Sequence, residues 1–194
     1  MSLHISANKL AEFITAKTPE RRKAIVRGLK RTKKGYAPWY AAFETPAKLF
    51  LSGGAKDASI LQRAIERMKN RTGRRWLDID SRITTDAFKA LLALAPELRA
   101  MDVKFTPPGK NLNARLEFPD VTVTVTPDMI VRGERNEVPL IGSLRFYLAK
   151  ESTYQLSQRG AELVAVMQHQ WLSRQGTGER TPDTTLCMVL ECFQ

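Results

Sequence analysis

The side chains with the most chemical potential lie in the second half of the chain. Asp128 follows Pro127, and Ser143-Leu144-Arg145 comes one strand later. A carboxylate beside a guanidinium can hold a phosphate next to a divalent cation. Mg²⁺ takes hard oxygen ligands, and Arg presents a planar fork of N–H donors to phosphate oxygens. Such chemistry needs a second acid. Ser143 is a poor Mg²⁺ ligand without neighbouring carboxylates. Arg145 stays protonated, so it can stabilise charge but cannot act as a base. Glu134, Glu137, Glu162 and Glu191 are the carboxylates that could complete the set. Each site residue also has a plainer reading. Asp128 after proline is ordinary turn chemistry, Arg145 can be a half-exposed strand residue paired with an acid, and Glu162 can be a helix-surface glutamate.

The elements that must position these residues follow from periodicity. Ser6 can cap a helix carrying Leu10, Phe13 and Ile14, and Thr18-Pro19-Glu20 restarts a second helix that runs to about Lys30 and buries Ala24, Ile25 and Leu29. Pro38 to Phe50 reads as a short helix interrupted near Pro46. Ala58 to Asn70 is amphipathic through Leu61, Ala64, Ile65 and Met68, and Arg71 to Arg75 reads as a basic loop. Thr84 or Thr85 caps another helix, closed by Pro96. After Met101 the period changes from helical to alternating, with strands around Val103–Phe105, Ala114–Phe118, Val121–Thr126, Met129–Val131 and Ile141–Leu148. A long helix over Ser157–Arg174 and a last apolar strand over Thr185–Phe193 follow. That strand reads as a sheet centre lying beside Ile141–Leu148. The fold class is therefore α+β, a helical N-terminal half followed by a mixed β-sheet core. The division is a basic helical subdomain over 1–83 and an α/β core over 84–194.

The αβββαβ order, Pro127-Asp128, and a strand bearing Gly142-Ser143-Leu144-Arg145 before a long helix together resemble the PD-(D/E)XK nuclease-like superfamily over about residues 84–194. The resemblance implies a restriction-endonuclease-like core. Asp128 matches the first acid and would be the metal ligand, Ser143 stands where the second acid belongs, and Arg145 replaces the lysine. Migration of the second acid to the following helix is a pattern of the superfamily, which makes Glu162 the acid that would complete a catalytic set of Asp128, Arg145 and Glu162. Mg²⁺ would be the cofactor if that set is active. The same stretch, with Gly160-Ala161-Glu162 and Leu186-Cys187-Met188-Val189-Leu190, resembles uncharacterised bacterial proteins of this fold.

Charge offers a function that does not need the missing acid. The chain of 194 residues carries a formal net charge of +11, and 43% of it is hydrophobic. Between Lys17 and Lys34 nine Lys or Arg face a single acid, Glu20. Arg21, Arg22, Lys23, Arg27, Lys30, Arg31, Lys33 and Lys34 are the candidate nucleic-acid contacts, because clustered cations draw polyanions. Arg63, Arg67, Lys69, Arg71, Arg74 and Arg75 form a second cluster. Trp39, Tyr40 and Phe43 could stack on bases, although aromatics at helical spacing are more often core. His4 and His169 lack matching Cys ligands for zinc, and Ser52-Gly53-Gly54 lacks the lysine of a phosphate loop. No apolar run suits a membrane span, the first residues do not form a signal peptide, and Cys187 and Cys192 fall on opposite faces of one strand. Together these point to the cytoplasm. Three functions follow: a DNA-favouring nucleic-acid-binding protein on a degenerate nuclease frame, serving as a non-catalytic subunit of a DNA-processing or defence system; an active Mg²⁺-dependent nuclease with a rearranged site; or a module whose basic surface meets an acidic protein partner.

Overall fold

The computed structural model describes residues 3–30, 38–70, 75–109, 112, 114–148 and 156–191. It shows an α+β chain in two compact units. One gathers residues 1–34, 108–147 and 156–190, and the other gathers 35–107, 148–155 and 191–194. Residues 3–30 thus cluster with the later strands.

The first unit begins with a strand absent from the periodicity reading, β1 (Leu3–Ser6), which pairs in parallel with β4 (Val121–Thr124). Four residues are too short for an alternating pattern to be recognised. Ser6 ends the strand and caps α1 (Ala7–Thr15), as its residue type implies: its Oγ accepts from the Lys9 N–H at 3.3 Å. On the other side of β4 lies β3 (Arg115–Glu117), antiparallel. β5 (Met129–Arg135) and β6 (Val138–Tyr147) form an antiparallel hairpin that continues through Gly133, which pairs with Leu140. Asn136 and Glu137 make its turn with φ of 51° and 65°. Both positive values belong to the two-residue turn whose twist matches the strands.

Ser157 caps α7 (Gln158–Arg174) through its Oγ and the Gly160 N–H at 3.2 Å. α7 packs on α1, β6 and β3, burying Val164, Trp171 and Leu172. The chain then returns as β7 (Thr181–Glu191) beside β6. β7 has β6 as its one neighbour in the sheet among the described strands, so it forms an edge and not a centre. Its apolar run reflects the burial of Leu186, Cys187 and Leu190, and burial of side chains does not require a strand on both sides. The approach to β6 is close. A Cβ at Gly142 would lie 2.1 Å from the Leu186 carbonyl oxygen, so only glycine fits there. α2 (Pro19–Lys30) packs on α1. It buries Ile25, leaves Leu29 half-buried and, against expectation, leaves Ala24 exposed.

The second unit holds α3 (Pro38–Ser52), α4 (Ser59–Lys69), α5 (Arg75–Ala93), α6 (Ala95–Ala100) and the short β2 (Lys104–Thr106). α3, α4 and α5 pack on one another. α3 runs unbroken through Pro46. The proline removes one helical hydrogen bond, and the burial of Phe43, Ala47, Phe50 and Leu51 along one face holds the helix across it. α5 starts at Arg75, well before Thr84. Thr84 is not a cap: its hydroxyl donates to the Asp80 carbonyl at 2.8 Å within the helix, a bond open to Thr in a helix interior. Phe43 is core, stacked on Phe88 at 5.2 Å between ring centroids.

Candidate functional site

Asp128 sits at the entry to β5, where Pro127 turns the chain into the hairpin. Its own N–H donates to the Leu144 carbonyl at 2.8 Å, extending the β5–β6 ladder. Its carboxylate is 3% exposed, and Oδ2 accepts from the Phe146 N–H at 2.8 Å. Arg145 Nη1 lies 3.1 Å from the same oxygen and also donates to the Thr126 carbonyl at 2.8 Å. Asp128 and Arg145, which the sequence singled out, are therefore brought together. The carboxylate ties the backbone of β6 to the start of β5, and the guanidinium neutralises it and is held in place by it.

Ser143, at the second-acid position, is fully buried in β6 opposite Ile130, next to Cys187 of β7. Burial pushes the Cys187 thiol up to about 11, and the Ser143 backbone and hydroxyl pull it back only in part. Glu162 is exposed on α7, where its Oε1 accepts from Gln158 Nε2 at 3.1 Å. Mg²⁺ needs several oxygen ligands around an open position. This corner offers one carboxylate, already engaged by a cation and an N–H. Among the described residues no group of three His, Cys, Asp or Glu could hold a metal. The residues present do not fit the cation.

The basic cluster is divided. Arg22, Lys23 and Arg27 are exposed on α2 and make no ion pair among the described residues. Lys30 ends the helix, while Arg31, Lys33 and Lys34 lie outside the described residues. Arg21 is different: its Nη2 lies 3.0 Å from Glu12 Oε2. Glu12 is a buried acid on α1 that also meets Lys9 Nζ at 2.6 Å and accepts from the Tyr147 hydroxyl at 3.1 Å. This one carboxylate joins α1, α2 and β6. The sequence analysis passed over it, although Glu12 stands three residues after Lys9, a spacing at which helix side chains meet. In the second unit Arg63, Arg67 and Lys69 are exposed on α4, with Lys69 paired to Glu66 at 2.6 Å. The side chains of Trp39 and Tyr40 lie outside the described residues.

No family model, curated protein or solved structure matches this chain. Among the described residues, no helix is long and apolar enough to cross a membrane.

Proposed function

We propose that this protein binds nucleic acid, DNA in preference, through the basic face of α2. It does so on a degenerate PD-(D/E)XK-like frame, as a non-catalytic subunit of a DNA-processing or defence assembly. The observation that carries this reading is the exposure of Arg22, Lys23 and Arg27 on a helix whose one acid is Glu20, with no described carboxylate pairing them. These cations would neutralise phosphates and release the counterions condensed on the nucleic acid without first breaking an ion pair. The frame is supported by the β5–β6 hairpin, the α7 crossover and the return of β7 beside β6. Loss of catalysis is supported by the engagement of Asp128 and the burial of Ser143.

The test is the salt dependence of binding to a short duplex and to the corresponding single strand. Reversing Arg22, Lys23 and Arg27 to Glu should lower the slope of log affinity against log salt by roughly 2–3. Equal slopes and affinities for parent and variant would remove α2 as the interface. Cleavage that requires Mg²⁺ and is lost in Asp128→Ala would replace the non-catalytic reading with the nuclease. Recovery of an acidic protein partner, with no affinity for either nucleic acid, would replace it with the interaction module.

A further inference from the structure

We propose that the first unit holds a phosphate-class oxyanion in a pocket between the N-terminus of α1, the end of β4, Arg145 of β6 and Gln168 of α7. The pocket is a cavity of about 50 Å³, lined by Ser6, Asn8, Thr124, Thr126, Arg145 and Gln168 with valine side chains between them. That is room for one small tetrahedral anion or about three waters.

Gln168 points to a ligand independently of the cavity's size. It is 1% exposed, and neither its amide nitrogen nor its amide oxygen has a hydrogen-bond partner in the protein. Buried amides are normally satisfied, so an unpaired amide on a residue that lines this pocket calls for a bound partner. Its position on the inner face of α7, where Val164 and Trp171 are also buried, is one that packing alone would give to an apolar residue.

The sign of the ligand follows from the other walls. Arg145 is the one charged side chain among the lining residues; Asp128, outside the lining, offsets part of its charge and, with the Thr126 carbonyl, fixes the guanidinium in place. α1 contributes its positive end. Ser6 Oγ serves the Lys9 N–H, and the first turn contains no acid to offset the helix dipole. Val125 and Val164 lower the local dielectric and strengthen both effects. Ser6 and Thr126 are exposed at the rim, and their hydroxyls can donate to an entering anion.

Gln168 also distinguishes among anions. Its amide presents a donor and an acceptor together. Hydrogenphosphate carries both acceptor oxygens and an O–H donor at neutral pH, so it can satisfy both atoms, whereas sulfate can satisfy the nitrogen alone. The same chemistry could arrive as free phosphate or as the terminal phosphate of a nucleotide or strand.

The experiment is calorimetric titration of the full chain with inorganic phosphate, sulfate and a 5′-phosphorylated mononucleotide at matched ionic strength. Phosphate should bind saturably and more tightly than sulfate. Gln168→Leu should weaken phosphate about tenfold and abolish its advantage over sulfate. It preserves bulk and removes an unsatisfied amide, so its thermal midpoint without ligand should equal or exceed the parent's, which separates lost binding from lost fold. Arg145→Gln should weaken every anion by tenfold or more. Tighter binding of the mononucleotide, in competition with phosphate, assigns the source to a nucleotide or strand end; binding of inorganic phosphate alone assigns it to the free ion. Reversal of Arg22, Lys23 and Arg27 should leave the phosphate isotherm unchanged, because this pocket does not depend on α2 as an interface. The absence of saturable binding by all three anions, or equal phosphate affinity in Gln168→Leu and parent, would overturn the proposal.

Discussion

Replacing Glu12 with glutamine keeps the shape of the buried side chain and removes its charge. Two cations then lose this carboxylate, Lys9 at 2.6 Å and Arg21 at 3.0 Å. Their side chains are 37% and 29% exposed, while Glu12's is 6% exposed. Each pair therefore lies between a solvated surface pair, worth under about 1 kcal/mol, and a buried pair, whose breakage removes about 3–5 kcal/mol. The acceptor for the Tyr147 hydroxyl survives in glutamine. The sum is a loss of about 2 kcal/mol, which for a chain of this size lowers the thermal midpoint by roughly 4–8 °C. Glu12→Ala also removes the Tyr147 acceptor and should lose about 1 kcal/mol more. Thermal unfolding followed by circular dichroism measures both, and a double-mutant cycle of Glu12→Gln with Arg21→Gln should return a coupling of about 1 kcal/mol. There is a second readout. Glu12→Gln removes one negative charge beside the cations of α2, so the salt slope for nucleic acid should rise by up to about 1. A midpoint within 1 °C (about 0.3 kcal/mol) of the parent, together with no measurable coupling, would show that the carboxylate does not fasten α1 to α2 and β6.

Two further outcomes follow from the β6–β7 contact. Gly142→Ala would place a methyl carbon 2.1 Å from the backbone oxygen of Leu186, and a backbone neighbour cannot swing aside. The variant should lose about 3 kcal/mol in urea unfolding, at the upper end for overpacking, and a loss below 1 kcal/mol would refute the close approach. Cys187, whose thiol burial raises from 9.0 to about 11, stays protonated in the fold while the unfolded chain ionises. Its contribution is thus full below pH 9 and is lost as pH rises towards 11. Cys187→Ala should flatten the decline in stability over that window, and identical profiles for parent and variant would contradict the assignment.

Local signals carried much of the fold. Ser6 was readable as a cap because a hydroxyl before an apolar-periodic run has one obvious task, and the structure places it at a helix start. The Val-Thr alternation of β4 and the placement of β7 beside β6 were equally plain. The failures have a common cause. β1 is recognisable only through its partner β4, Thr84 looks like a cap until its hydroxyl is seen bonding back to Asp80, and β7's apolar run reports burial without saying whether a second strand lies beside it. The site divides in the same way. Asp128 and Arg145 could be named because one precedes the first strand of a hairpin and the other lies on its second strand. Glu12 and Gln168 could not, because their importance rests on what other elements bring to them: Tyr147 and Arg21 for the first, Arg145 and the start of α1 for the second.

The pairing of Leu3 with Val121 has a consequence for the order in which the molecule can be made. β1 is made before the other described elements, yet its partner strand follows only after all of α3, α4, α5 and α6. α7, which packs on α1, comes later still. The helices of the second unit have mainly local partners and can form while synthesis continues, whereas the opening strand and the cationic helix behind it must wait, with the entropy of a long loop still to be overcome. During that interval β1 is an unpaired strand edge attached to a highly charged segment. Its charge discourages neighbouring nascent chains from pairing with it, so the same cations that are proposed to meet nucleic acid in the finished protein would first guard its assembly.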